Sequence, residues 1–453
     1  MLDLATVCAE PARVKAALGR RGVAPEAVER VTDLDGRWAA REAVAEALRV
    51  RRRQVSRQVA DRRLAAADTA DLARLGRAVA EELRGVEQEL AALDAARRQA
   101  LLVLPNLPAS DVPDSPVRPG AAEGPSRPSG GREPAVAPAW PHPFPPLPHW
   151  DLLDALGLVE PHAGPGRGFV VWREAGARLL RAMTALMLDV HARDGCREVL
   201  CPALATAGQL FGSAHLPTLA DKMYAISPLD EGDGGLPPAA RMGGPAPRLY
   251  LAPRAEPHLA ALHAGGVLGP VELPRRYVAA GPAFRREIGA AGREARGLLR
   301  LHEFPTVERY TFCRPDQAEA ELERAVEAAT AILGRLDLVH RRRVRPAPLL
   351  SQAAARTVDL EVWAQGAGEW LRVTALSDFT DFQARRTDTR FRQPGGGTRL
   401  VHTVGGAAVA LPRALAAILE TGQQADGSVV LPAALHGYFG GDRLAAGGSA
   451  AQK

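Results

Sequence analysis

Apolar residues recur at alternating steps of four and three through the first hundred positions. Leu34, Trp38, Arg41, Ala45, Leu48, Arg52, Val55 and Val59 trace one stripe, and Leu72, Leu75, Val79, Leu83, Val86, Leu90 and Leu93 trace a second. This spacing is the seam of a coiled coil, so it predicts two long helices paired antiparallel, with AAADTAD (65–71) as the tip. After residue 112 the periodicity gives way to Pro, Gly and Ser, as in PSRPSGGREPAVAPAWPHPFPPLP. A segment so poor in apolar surface cannot offset the entropy of ordering, and it predicts a semi-extended tether that includes the PPLP piece. A folded body opens at HWDLLDALGL (149–158). Helical periodicity returns over 174–193 through Leu179, Met183, Leu186, Met187 and Val190, and GCREVLCPAL then predicts a strand ending near Pro202. Mixed strands and helices continue to about Gly440, and DRLAAGGSAAQK predicts a disordered tail. The expected organisation is an α+β protein with a helical arm over 1–105, a linker over 106–148, a body over 149–440 and a tail over 441–453.

Composition adds limits. A chain of 453 residues with 46% hydrophobic content can bury a sizeable core in two or more domains. No apolar run reaches membrane-spanning length, and Asp3 and Glu10 break any signal-peptide pattern, so a cytoplasmic protein with no membrane partner is expected. Cys8, Cys196, Cys201 and Cys313 contain no CxxC pair, which indicates buried thiols and no metal site. His258 and His263 are five apart, a poor spacing for a helical zinc pair. Only three of the 57 basic residues are lysines, a coding bias with no functional meaning, and the net charge of +5 only modestly favours a polyanionic partner. Local clustering says more. Arg49, Arg51, Arg52, Arg53, Arg57, Arg62 and Arg63 crowd the outer half of the first arm helix, where arginines can track an RNA backbone by charge and shape. A solvated charged face is the plainer alternative.

The densest candidate chemistry lies in FRREIGAAGREARGLLRLHEFPTVE (284–308). Residues two apart on a strand share a face, so Arg285 and Glu287 would point one way, and Arg300, His302, Phe304 and Glu308 would line one face of a returning strand. Arginine forks suit phosphate and carboxylate oxygens, an aromatic face suits a purine, and the glycine-bearing loop between lets backbone approach a ligand. A salt-bridged surface hairpin would have the same spacing.

This segment resembles motif 2 of the class II aminoacyl-tRNA synthetases, and in detail that of the seryl-tRNA synthetases, whose pattern runs FRSEAGAAGRDTRGLxRxHQF followed by KVE. MLDLATVCAEPARVKAALGRRG resembles that family's opening, LLVLPNLPASDVP the end of its helical arm, TDFQARR a block before motif 3, and AVALPRALAAILETGQQADGSVVLPAAL motif 3 with its tail. The helix, strand and proline of 174–202 resemble motif 1. The resemblance implies an antiparallel class II sheet flanked by helices, an antiparallel coiled-coil arm that grips a tRNA with a long variable arm, and a homodimer built on motif 1. It also implies ATP as co-substrate. Arg285 would bridge the substrate carboxylate and the α-phosphate, Glu287 would accept from the adenine amino group, Phe304 would stack on the adenine, and Arg413 would hold the distal phosphate. Arg300 matches a phosphate-facing arginine, and Glu308 a carboxylate beside the bound serine.

Other positions depart from the family. The threonine that contacts the serine ammonium is Arg254, in PRAEP. The glutamate that holds the catalytic magnesium is Arg372, which cannot ligate a cation and puts Mg2+ in doubt. A nearby serine is Ala375, and the NGS of motif 3 is Gly405, Gly406 and Ala407. Three readings stay open. The chain could be a seryl-tRNA synthetase with Arg372 in the cationic role of the metal; a paralogue activating another carboxylic acid, with Arg254 pairing its extra carboxylate; or a catalytically silent tRNA-binding or regulatory protein.

Overall fold

The computed structural model describes residues 1–64, 68–115, 137–160, 166, 168–226, 249–287 and 296–446. They divide into two units, Met1–Leu107 and Pro108–Lys453.

In the first unit two short helices, Leu4–Ala9 and Pro11–Gly19, precede the long pair Pro25–Leu64 and Ala70–Leu102. The predicted seam is where the pair meets. Ala45, Leu48, Val79, Leu83, Val86 and Leu90 form a buried cluster, with Trp38 and Leu75 packed against it. The two polar seam positions turn outward: Arg41 is exposed and reaches Glu89 on the opposite helix at 2.6 Å, and Arg52 is exposed. Nearer the open end, Arg97 ties the helices together. It pairs with Asp35 at 2.8 Å and its guanidinium lies 4.1 Å from the Trp38 ring centroid, where the ring's negative face attracts it. The tip residues 65–67 lie outside the described residues.

The second unit is built on a seven-stranded sheet whose strands, in chain order, are β1 Arg197–Glu198, β2 Arg275–Phe284, β3 Glu303–Cys313, β4 His340–Val344, β5 Arg356–Ala364, β6 Glu369–Asp378 and β7 His402–Val409. The spatial order is β1-β2-β3-β7-β6-β5-β4. Every pairing is antiparallel except β1 with β2. One face of the sheet, including Val307, Val358, Leu360, Leu376 and Val404, joins a single core with the helices Glu174–Arg193, Ala318–Arg335 and Leu411–Gly422. That burial fixes the register, because a slip of one residue would turn the apolar set to the other face.

The other face carries the residues of interest. Glu308, Ala407, Ala375 and Asp359 are cross-strand partners in one row over β3, β7, β6 and β5. Along β6 a bulge intervenes: Thr374 opposes Leu360 and Arg372 opposes Glu361, leaving Val373 as the extra residue. The bulge returns Arg372 to the face of Ala375 and Glu308, which strict alternation would have denied it.

Both ends of the expected linker lie on the body. Ala109 N–H donates to Ala355 O at 2.9 Å, and Leu147 N–H donates to Gln423 Oε1 at 2.8 Å. Residues 116–136 between them lie outside the described residues. The expected tail starts as a strand, Arg443–Leu444, paired with Val429–Val430, and 447–453 lie outside the description. Among the described residues no helix is long and apolar enough to cross a membrane.

Candidate active site

β2 and β3 pair from Arg275 with Phe312 to Phe284 with Glu303. Of the predicted strand positions only Phe304 and Glu308 therefore lie on a strand; Arg285, Glu287, Arg300 and His302 sit just beyond the strand ends. The ladder stops because the backbone diverges there. Arg285 N–H still donates to His302 O at 2.8 Å, but Arg286 N–H turns to Lys222 O at 3.0 Å. Residues 288–295 of the intervening loop, where close backbone approach to a ligand was expected, lie outside the described residues.

The cationic group nevertheless converges. The half-buried Arg285 guanidinium lies 5.2 Å from the Phe304 ring centroid. Burial, and then the neighbouring charge of Arg254, push its pKa down to about 10. Glu308, Glu287 and Arg413 are also within electrostatic reach of it. Glu287 and Arg300 hold each other, Nε to Oε2 at 2.6 Å. Arg413, third in its helix, donates from Nη2 and Nε to Leu299 O at 3.2 and 3.3 Å and from Nη1 to Arg372 O at 2.8 Å. Motif 3 is thus latched to the end of the motif 2 loop and to β6. Burial, and then nearby Arg372, lower the Arg413 pKa.

Arg254, which would repel a substrate ammonium if it stood unpaired, is paired with two carboxylates. Arg254 Nε donates to Glu308 Oε1 at 2.7 Å, and its Nη1 lies 3.1 Å from Glu256 Oε2. Glu308 Oε2 also accepts the Glu256 backbone N–H at 3.0 Å. Burial alone would lower the Arg254 pKa, but Glu308 and Glu256 outweigh it and raise it. The chain continues inward. Gln383 Nε2 donates to Glu256 Oε1 at 2.8 Å, and Tyr310 and Thr403 hydroxyls donate to Gln383 Oε1 at 2.6 and 3.1 Å. Arg372 stands apart at the other end of the row, exposed, near Arg345, Asp359 and Glu361.

The two motif 3 glycines are shaped by close contact. A Cβ on Gly405 would come within 2.7 Å of the Tyr310 ring and 2.8 Å of Arg309 O, and one on Gly406, at φ +147, within 2.0 Å of Ala375 O. Ala407 and Ala375 face each other across β7 and β6.

Several supporting residues escaped the sequence. His149 and Glu420 are fully buried and 2.7 Å apart. His149 Nε2 accepts from Leu298 N–H at 3.2 Å, so Nδ1 carries the proton donated to Glu420. Glu420 also accepts from the backbone of His149, Gly366 and Ala367 at 2.8, 2.8 and 3.0 Å. Gly297, at φ +57, leaves no room for a Cβ, which would lie 2.4 Å from His149 Nε2. His302, within motif 2, serves packing: it stacks on Phe169 with centroids 4.8 Å apart and meets Tyr224 Oη at 2.6 Å through Nδ1. His258 and His263 bond Gln209 and Tyr277 at 3.1 and 2.8 Å. Among the described residues no group of His, Cys, Asp and Glu is arranged to hold a metal ion.

On the arm, Arg49 is engaged by Glu42 at 2.8 Å and by Glu87 at 3.4 Å, and Arg53 by Glu46 at 3.0 Å. Arg51, Arg52 and Arg57 are exposed and have no ion-pair partner among the described residues.

A mostly antiparallel sheet presenting these arginines at the ends of two strands and on a following helix defines the core of a class II aminoacyl-tRNA synthetase. The profile "tRNA synthetase class II core domain (G, H, P, S and T)" matches residues 245–422, and "Seryl-tRNA synthetase N-terminal domain" matches residues 1–108. The "Serine--tRNA ligase" of Roseiflexus sp. (strain RS-1) is 38% identical over 97% of this chain and 98% of its own length. That of Gemmatimonas aurantiaca is 39% identical over 87% and 88%. Among solved structures, seryl-tRNA synthetase from Pyrococcus horikoshii complexed with ATP superposes with a TM-score of 0.83 at 26% identity, covering 98% of this chain and 100% of that one. The cytoplasmic serine-tRNA ligase of Naegleria fowleri in complex with AMP, at 22% identity and TM-score 0.81 over 99% of both chains, shows the same fold. The chain belongs to the seryl-tRNA synthetase family.

Proposed function

We propose that this chain activates a small carboxylic acid with ATP and transfers it to tRNA, the seryl-tRNA synthetase type of reaction, with an acid pocket and cation site that depart from the family's. The carrying observation is Arg285 over the Phe304 ring, 5.2 Å from its centroid, with Arg413 within electrostatic reach. Attack of a carboxylate on the α-phosphorus of ATP brings two anions together, so the site must supply positive charge before reaction. Arg285 would bridge the carboxylate and the α-phosphate, Phe304 would stack on the adenine, Glu287 would accept from the adenine amino group, and Arg300 and Arg413 would hold the phosphates. Kinship with the Pyrococcus horikoshii enzyme, solved with ATP, supports the nucleotide. The family's magnesium does not fit the donors here, since the side chains of Arg372 and Ala375 offer no oxygen ligand.

Exposed Arg51, Arg52 and Arg57 support RNA binding by the arm. The resemblance of the helix Glu174–Arg193 to motif 1 supports a second copy packing there. The test is ATP calorimetry together with ATP–pyrophosphate exchange across all amino acids. ATP binding that is lost in Arg285→Ala, with acid-dependent exchange, supports the reading; no ATP binding by the intact protein overturns it. The silent tRNA-binding alternative is favoured by the closed Arg254 ion pairs, and ATP binding without exchange for any acid would select it.

A further inference from the structure

The anionic groups around Arg285 each have a cation already. Glu308 and Glu256, 1% and 4% exposed, share Arg254 at 2.7 and 3.1 Å, and Glu287 is taken by Arg300 at 2.6 Å. His215, which meets Ser213 Oγ at 2.9 Å and lies within electrostatic reach of Arg254 and Arg285, is held neutral by burial, with its pKa pushed down to about 3. A substrate ammonium is a donor that needs a buried acceptor or counter-ion, and one entering here would have to displace a guanidinium held by two carboxylates. A second substrate carboxylate fares no better. It would be a third anion on one guanidinium, beside Glu308 and Glu256, so the expected pairing of Arg254 with an extra carboxylate is not supported. The one guanidinium nitrogen of Arg254 outside these pairs, Nη2, is a donor only, and what it can receive is an oxygen lone pair. Tyr310 lies against Gly405, and the facing Ala375 and Ala407 offer methyl groups, so these positions supply no side-chain polar group for a substrate.

We propose that Arg254 is a built-in counter-ion that closes the ammonium subsite, and that the acid activated here is a small 2-hydroxy monocarboxylic acid. This rests on the reading of the site as carboxylate-activating. In the step, a carboxylate oxygen held by Arg285 forms a bond to the α-phosphorus of ATP. The bond from that phosphorus to the bridging oxygen breaks, and pyrophosphate leaves with the electron pair. A ribose hydroxyl of tRNA then forms an ester bond to the acyl carbon, the bond from that carbon to the AMP oxygen breaks, and AMP leaves with the electron pair while the hydroxyl proton is released. The acid's own hydroxyl stays unreacted and accepts from Arg254.

The experiment uses the full-length protein. ATP binding is measured first by calorimetry, then ATP–pyrophosphate exchange with glycerate, lactate and glycolate against serine. Exchange with one of the hydroxy acids at least tenfold above serine in kcat/KM is expected. Arg254→Thr, which frees Glu308 and Glu256, should move that ratio at least tenfold toward serine. Because the variant leaves two buried carboxylates together and can misfold, the native protein's preference is the deciding measurement. Serine exchange equal to or above that of every hydroxy acid overturns the inference while acid activation stands. ATP binding without exchange for any acid overturns it too, and absence of ATP binding removes the underlying reading first.

Discussion

Glu420→Gln tests how far the site depends on a buried support that touches no substrate. The native carboxylate accepts four hydrogen bonds, two at Oε1 from His149 and two at Oε2 from Gly366 and Ala367 N–H. The isosteric amide can keep the His149 side by presenting its oxygen there, but its NH2 then faces two backbone donors. Leaving a buried donor unsatisfied costs about 1–3 kcal/mol, and two of them with opposed N–H groups give about 3–5 kcal/mol of destabilisation. Urea unfolding of the native and variant proteins measures it. A second readout separates site from scaffold. His149 holds Leu298, and the next carbonyl, Leu299 O, anchors Arg413 at 3.2 and 3.3 Å. A loosened Leu298–Leu299 segment should weaken ATP binding roughly tenfold, which is about 1.4 kcal/mol. A stability change below about 1 kcal/mol with unchanged ATP affinity would refute the assignment of this pair as the support of the phosphate-facing arginine.

Three further outcomes are expected. Phe304→Ala should weaken ATP binding by about 1–3 kcal/mol if the ring stacks on the adenine, and unchanged calorimetry would remove it from the nucleotide site. Reversing Arg51, Arg52 and Arg57 to Glu should lower the salt dependence of tRNA binding by about 2–3 in log–log slope, at roughly 0.7–0.9 per phosphate contact; an unchanged slope would leave the arm a solvated coiled coil. Stability should fall below neutral pH through His191 and His215, whose pKa values are pushed down to about 4 and about 3, chiefly by burial. The unfolded chain takes up these protons below about pH 6.5 while the folded chain does not, so each contribution is complete near pH 8 and loses about 2 kcal/mol by pH 5. His191→Phe should remove about half of that dependence in urea titrations at the two pH values, and a dependence equal to the native protein's would count against the buried neutral histidine.

What could be read from the chain followed the range over which its signals act. The arm was legible because its seam repeats locally, although two members counted in the stripe, Arg41 and Arg52, turn outward in the structure. The anion site was legible through the charge spacing of 284–308, although the strands stop at Phe284 and resume at Glu303. Alternation had placed Arg285 and Arg300 on the ladder, and it carries no signal for where backbone pairing ends. Position 372 is a clearer failure of alternation. It shares a face with Ala375 only because Val373 is bulged, a feature without a residue signature at that point. His149 and Glu420 meet across 271 residues, and no local pattern links them.

Arg254 shows why a substituted site is misread when its positions are taken one at a time. Set beside a family threonine, an arginine is an added charge that repels an ammonium. In the fold the same arginine is neutralised, because Glu308 and Glu256 converge on it from 54 and 2 residues away. Its effect is therefore less a like-charge repulsion than the removal of both acceptors from reach of a substrate. The same coupling limits reversal. Arg254→Thr alone leaves two carboxylates, 1% and 4% exposed, without their cation, and breaking one side of a buried pair costs about 3–5 kcal/mol. Restoring asparagine at position 405 would push a Cβ within 2.8 Å of the Arg309 carbonyl, so β7 would have to move away from β3 before a family-like side chain could enter. Arg254→Thr alone should thus shift the preference toward serine, and serine use at a family-like rate should return only when that change is combined with room made around Tyr310. If Gly405→Asn by itself left the stability and spectrum of the protein unaltered, the steric part of this account would fail, and the closed ammonium subsite would stand on the ion pairs alone.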